Sequence, residues 1–180
     1  MSGRVEIIIG SMFSGKSTEL LRRLSRYEAV SIPTLLINHT FDTRTGLSVK
    51  THNNVEKSAK KLKTLMELVD TDIYDTAEVI GIDEAQFFPD LKEFVLHSEK
   101  DKIIIIAGLD GDSERMPFGQ ILECIPLCDE VVKLNGMDMI SKDGTPAIFS
   151  KRVSKETSSK IFIGAENEYV AVSRKNYFKN

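Results

Sequence analysis

Runs of apolar, β-branched residues alternate along this chain with stretches in which leucines return every three or four positions, the periods of buried strands and amphipathic helices. Val5 to Ile9 is the first such run and closes on Gly10. Ser17 to Tyr27 then carries Leu20, Leu21 and Leu24 at helical spacing, so the opening predicts strand, turn, helix. Pro33 stops that helix, Thr34 to Ile37 predicts a second buried strand, and a polar loop follows from Asn38 to about Lys57. Leu62, Leu65, Met66 and Val69 predict another helix, and Val79 to Ile82 a strand that delivers Asp83 and Glu84 at its carboxyl end. Pro89 opens a helix through Leu91, Phe94 and Val95, which leads into the strongest strand signal, Lys102 to Leu109. Alternation of this kind implies an α/β fold, a parallel sheet covered on both faces.

The pattern changes after a further strand at Val131 to Leu134. Asn135 to Ser159 is polar, contains Gly144 and Pro146, and predicts a long functional loop, with short strands at Ile161 to Ile163 and Tyr169 to Val172 to anchor it. At 180 residues and 41% hydrophobic, the chain has the size of one compact domain with a small appendage. We divide it at 1–134 for the α/β body and 135–180 for the appendage.

Charge narrows the partners. Lys plus Arg number 24 against 27 for Asp plus Glu, a net charge of -3, which leaves no electrostatic footprint for a nucleic acid polymer. Small anions remain within reach of a local cluster of amides and cations. The longest apolar runs, such as Ile103 to Ala107, are too short to cross a bilayer, so no membrane partner is expected. Two cysteines, Cys124 and Cys128, and an amino terminus MSGRVEIII without a secretory pattern lead to the expectation of a reducing, cytoplasmic setting.

Gly10-Ser11-Met12-Phe13-Ser14-Gly15-Lys16-Ser17 fits G-x-x-x-x-G-K-[ST] at every fixed position, between a predicted strand and a predicted helix. Glycines let the backbone amides turn inward around phosphate oxygens, and the helix amino end adds partial positive charge. Lys16 would reach the outer phosphates and Ser17 a magnesium ion, which makes the expected fold a P-loop NTPase-type sheet. The competing reading is a glycine-rich turn without a ligand. Asp83, at the end of a buried strand, is the expected second holder of magnesium, and Glu84 the acceptor of a proton from a hydroxyl or from water. Both acids also suit helix capping or solvation at a strand end.

Ile82-Asp-Glu-Ala-Gln-Phe-Phe88, taken with Gly10 to Thr18, resembles the thymidine kinase family. Asp42-Thr-Arg44, Leu109-Asp-Gly-Asp112 followed by Arg115-Met-Pro-Phe-Gly119, Val131 to Leu134, and Ile163-Gly-Ala165 through Tyr169 extend the likeness in chain order. The resemblance implies transfer of the γ-phosphate of ATP, with Mg2+, to the 5′-hydroxyl of thymidine, with deoxyuridine as a second acceptor. Glu84 would be the general base, and Arg44 with Lys16 would supply positive charge at the transferred phosphate. The phosphate loop through Thr18 and Asp83 would hold ATP. Met12, Asp42, Phe87, Leu109, Phe118, Phe162, Ile163, Gly164 and Tyr169 fall on substrate positions, and the stretch from about residue 140 to 165 on a lasso that reads the pyrimidine edge. For Phe87, Phe88 and Phe118 ordinary core packing is the other reading. His52 and His97 are expected at the surface or in structural roles. The family usually assembles as a homotetramer.

Many members hold a structural zinc on two Cys-x-x-Cys pairs that flank the lasso. The matching places here read Asp138-Met-Ile-Ser141 and Ser173-Arg-Lys-Asn176, poor zinc ligands, so no zinc is expected. Cys124 and Cys128 are expected to be buried thiols. Ser113 and Phe162 also depart from the residues common at their places, which bears on the base accepted. Two other functions compete: a P-loop ATPase or switch domain in which Glu84 activates water for a macromolecular partner, and a member that binds nucleotide without turnover.

Overall fold

A computed structural model describes residues 2–42, 48–50, 56–153 and 168–179. The strands in chain order are β1 (Arg4–Gly10), β2 (Thr34–His39), β3 (Ser48–Lys50), β4 (Glu56–Ser58), β5 (Lys60–Leu62), β6 (Val79–Ile82), β7 (Ile103–Leu109) and β8 (Glu130–Leu134). Beyond them lie β9 (Gly136–Met137), β10 (Pro146–Ala147), β11 (Phe149–Arg152) and β12 (Tyr169–Val172). The helices are α1 (Lys16–Glu28), α2 (Asp72–Thr76), α3 (Leu91–Ser98) and α4 (Arg174–Tyr177). Six strands form one sheet in the order β5-β2-β6-β7-β1-β8, every pair parallel, the α/β architecture that the alternating pattern predicts.

The central strands β2, β6, β7 and β1 are largely buried on both faces, which is why they read as mainly apolar runs, whereas the edge strands β5 and β8 stay partly exposed. Along β7, Ile103, Ile105 and Ala107 join Leu20, Leu21 and Leu24 of α1 on one face. Ile104 and Ile106 join Phe88, Leu91, Phe94 and Val95 on the other. Each isoleucine removed from water there contributes about 1.5–3 kcal/mol. Gly81 in β6 lies directly under α1: a Cβ would meet Leu24 Cδ1 at 2.7 Å, so the glycine sets how closely the helix approaches.

The helix predicted from Leu62, Leu65, Met66 and Val69 is not one. Lys60–Leu62 is an edge strand in register with Ile37–His39, and Met66–Leu68 is a single 3-10 turn. Leu62, Leu65 and Leu68 reach the same core from these two elements, which imitates helical spacing. The amides a longer helix would use are held by carboxylates instead: Lys63 and Thr64 N–H donate to Glu67 at 2.9 and 3.1 Å, and Met66 N–H donates to Asp90 at 2.8 Å. Two predicted loops also contain strands. The polar loop after Asn38 holds the antiparallel pair β3–β4, and the stretch after Asn135 holds β9, β10 and β11. The strand predicted at Ile161 to Ile163 lies outside the described residues, while Tyr169 to Val172 is β12 and pairs antiparallel with β11. Cys124 is buried as predicted, its thiol pushed up to about 11 by burial, whereas Cys128 is only half-buried.

Candidate active site

Parallel strands end their carboxyl edges on one side, and loops there share a crevice. Gly10 of β1 is in register with Leu109 of β7 and Leu134 of β8, and Ile82, just before Asp83, with Ile106 and Ile37. Residues 10–17, 42, 83, 84 and 109 therefore emerge side by side.

The loop Gly10–Gly15 turns through three residues in the left-handed region, Gly10 (φ 154), Phe13 (φ 59) and Gly15 (φ 84). At Gly10 a Cβ would collide with the Leu134 carbonyl oxygen, so only glycine passes there. No side chain caps the amino end of α1, which leaves its first amides facing the loop. Lys16 Nζ donates to the Ser11 carbonyl at 2.7 Å and lies across the loop mouth. The Ser14 hydroxyl is buried without a hydrogen-bond partner. Uncapped amides, a lysine and an orphaned hydroxyl together form a cradle suited to phosphate oxygens. Ser11 and Met12 are fastened from behind: Ser11 Oγ donates to the Ala147 carbonyl at 3.2 Å, and Met12 N–H donates to Ser150 Oγ at 3.0 Å. Thr18 is exposed on the first turn of α1.

Ser17 Oγ donates to Asp83 Oδ1 at 3.0 Å, so the two predicted magnesium holders meet. Burial, and then the adjacent Glu84 charge, push the Asp83 carboxyl well up. A cation beside Ser17 would relieve that strain, and a hydroxyl with one carboxylate is the protein share of a magnesium site completed by phosphates and water. Among the described residues no cluster of three or more His, Cys, Asp or Glu could hold a metal alone.

Glu84 occupies a left-handed conformation (φ 52) at the start of the turn Ala85–Phe87. Its carboxylate accepts from Gln86 Nε2 at 2.6 Å, while Gln86 Oε1 accepts the Leu109 N–H at 3.0 Å. The buried Gln86 thus ties Glu84 to the end of β7 and fixes its own amide orientation. Gly108 and Gly119 make room for it, since a Cβ on either would strike Gln86 atoms.

Phe87 is half-buried and edge-on to Phe118 at 5.5 Å and to Phe41 at 6.0 Å. His39 lies 5.8 Å from Phe87 and 4.8 Å from the fully buried Phe88. Phe88 is therefore core, whereas Phe87, Phe118 and the exposed Phe41 form one wall. His39 Nδ1 accepts the Phe41 N–H at 3.0 Å and Nε2 faces the Lys63 carbonyl at 3.2 Å, so the ring is neutral with its proton on Nε2. Burial holds this imidazole below its usual value. Buried Asp42 accepts from Asn38 Nδ2 at 2.8 Å, and Lys61 Nζ donates to the Asp42 carbonyl at 2.7 Å. Half-buried Leu109 closes β7, and Tyr169 opens β12 opposite Arg152. Arg44, Phe162, Ile163, Gly164 and His52 lie outside the described residues.

Sequence reasoning passed over Gln86, His39 and Phe41. Gln86 stands inside the Asp-Glu-Ala-Gln run, the one signal that could have drawn notice. His39 and Phe41 gain their neighbours only through the fold.

A glycine-cradled loop between a buried parallel strand and a helix, with a serine hydroxyl on the carboxylate of a nearby strand, defines a P-loop nucleotide-binding protein. The model of the family described as "TK: Thymidine kinase" matches residues 3–177. Curated proteins named Thymidine kinase are similar over nearly all their length: 45% identity with that of Yaba monkey tumor virus (99% of this chain, 96% of the relative) and 45% with that of Raccoon poxvirus (97% of each). The protein of Vaccinia virus strain Ankara is also 45% identical over 97% of each chain. The chain belongs to the thymidine kinase family and is a kinase, and that family carries out ATP-dependent phosphoryl transfer.

Proposed function

We propose that this enzyme transfers the γ-phosphate of ATP to the 5′-hydroxyl of thymidine, with Glu84 as general base. The observation that carries the reading is the Glu84–Gln86–Leu109 bridge, which ties a carboxylate to the end of β7, the strand paired with the phosphate-loop strand, three residues before Phe87 of the Phe87–Phe118 wall. The loop amides, Lys16 and Ser14 bind the triphosphate. Ser17 and Asp83 would hold Mg2+ together with it, which would supply neutralisation of the phosphate charge. A flat pyrimidine fits against Phe87 and Phe118, with Met12, Leu109 and Tyr169 at the pocket's margin. Glu84 takes the proton of the 5′-hydroxyl as that oxygen bonds to the γ-phosphorus, the bond to the bridging oxygen breaks, and ADP leaves. Arg44 adds charge at the transferred group, and Phe162, Ile163 and Gly164 close over the base. Deoxyuridine serves as a second acceptor. The boundary at 134/135, a homotetramer and a cytoplasmic setting complete the reading.

Glu84→Gln and Lys16→Met separate the roles. The first should bind ATP with little change in Kd and lose turnover; the second should lose ATP binding. ATP hydrolysis by the wild-type enzyme at an undiminished rate without nucleoside would favour the hydrolase instead.

A further inference from the structure

Among the described residues outside the candidate active site, Asp138 is the buried carboxylate with the most hydrogen bonds. It is 2% exposed. Oδ1 accepts the backbone N–H groups of Ile140 at 2.8 Å and Ser141 at 3.0 Å. Oδ2 accepts the Ser173 N–H at 2.7 Å and Asn176 Nδ2 at 2.9 Å. Positions 138, 141, 173 and 176 are the four at which the family resemblance places zinc-binding cysteines, and here they meet around one carboxylate. The donor set does not fit zinc. A structural zinc wants lone pairs converging from three or four sides, but the hydrogen bonds around this carboxylate present donors to it, two N–H groups on each oxygen. That is a pocket for an anion, and the anion is built in. Burial alone would raise the Asp138 carboxyl, but the bonds from Ser173, Ser141 and Ile140 outweigh it and hold the group well below the usual carboxylate range.

We propose that Asp138 forms a metal-free clasp that takes the place of the family's zinc and fastens the carboxyl-terminal segment to the nucleoside pocket. Two chains of contact leave it. Ser173 Oγ accepts the Asn176 N–H at 3.3 Å and caps α4, whose Tyr177 hydroxyl donates to the Ser113 carbonyl at 2.7 Å, five residues before Phe118 of the ring wall. β12 pairs with β11, whose Ser150 holds the Met12 N–H of the phosphate loop. Asp138 is thus a positioning residue, acting through Tyr177 and Ser150.

The metal and stability arms of the test stand without the thymidine reading, and only the kinetic arm rests on it. Elemental analysis of the purified chain should find far less than one zinc per chain, and Tm should not move with a chelator. One zinc per chain, removed by the chelator with a fall in Tm, would overturn the proposal. Asp138→Asn, which replaces one carboxylate oxygen by an NH2 group facing two of the four donors and removes the charge, should lower Tm by on the order of 5–10 °C. The milder Asn176→Ala, which removes one bond, should lower it by about 2–5 °C and raise the thymidine KM roughly 3-fold with kcat nearly unchanged, the mark of lost positioning rather than lost chemistry. An unchanged Tm in both variants would refute the clasp, and an unchanged KM with a lowered Tm would refute its reach into the pocket. Replacing all four residues by cysteine should create a chain that takes up one zinc and gains chelator sensitivity; failure to bind zinc would refute the assignment of these four positions to one site.

Discussion

Gln86→Leu keeps the volume of a buried side chain and removes both of its hydrogen bonds. The first, to the Glu84 carboxylate at 2.6 Å, is charge-assisted, and such bonds contribute about 1.5–3 kcal/mol. If that bond holds Glu84 where the 5′-hydroxyl proton is taken, its loss appears in the barrier as about a 10- to 150-fold fall in kcat. The second bond leaves the Leu109 N–H without its acceptor, about 1–3 kcal/mol of stability, or on the order of 3–10 °C in Tm for a chain of this size. Gln86→Glu is a second probe: it keeps an oxygen for Leu109 but sets a second buried carboxylate against Glu84, so kcat should fall at least as far as in Gln86→Leu and Tm should fall as well. The assay is ADP release at saturating Mg-ATP and thymidine, with melting followed in the same buffer. A Gln86→Leu enzyme whose kcat stays within about threefold of wild type while Tm falls would show that the bridge is only structural.

Two further outcomes follow from groups away from the reacting atoms. Arg23 lies at the back of β1 and binds Glu6, Glu19 at 2.9 Å and Glu130 at 3.1 Å; Arg23→Met leaves Glu6 buried with only Arg4 and should cost about 3 kcal/mol in urea unfolding, and adding Glu6→Leu should restore most of it. His39 is held neutral by burial, against Asp90, which favours its charge, and with Lys61, which opposes it. Because its folded pKa lies below the unfolded value near 6.5, its contribution is complete above about pH 6.5 and is lost as pH falls through the folded pKa. His39→Gln should flatten that part of the stability curve; a curve unchanged below pH 6.5 would contradict the assignment.

The parallel body was legible because its central strands are largely buried on both faces. Val79 to Ile82 and Ile103 to Leu109 carry no polar alternation and Val5 to Ile9 is broken only by Glu6, and the loop after Gly10 and the acids after Ile82 stand at strand ends where chemistry collects. Leu62 to Val69 misled because an edge strand and one 3-10 turn reach the same core at intervals a helix would also use. Strands of two to four residues, as in β9 to β11, carry too few positions for any period to emerge. Gln86, His39 and Asp138 draw their meaning from Leu109, Lys63 and Ser173, partners 23, 24 and 35 residues away, and no local pattern records them. Arg23 is similar: in the chain it is one cation of a polar helix face, and only the fold sets it against Glu6 and Glu130.

Coupling of ADP release to the appearance of thymidine 5′-monophosphate tests the central claim most directly. Wild-type enzyme with Mg-ATP should release one ADP per thymidine 5′-monophosphate formed, release almost none when nucleoside is left out, and lose both products in Glu84→Gln. ADP released without nucleoside, or monophosphate formed at the wild-type rate by Glu84→Gln, would contradict the account.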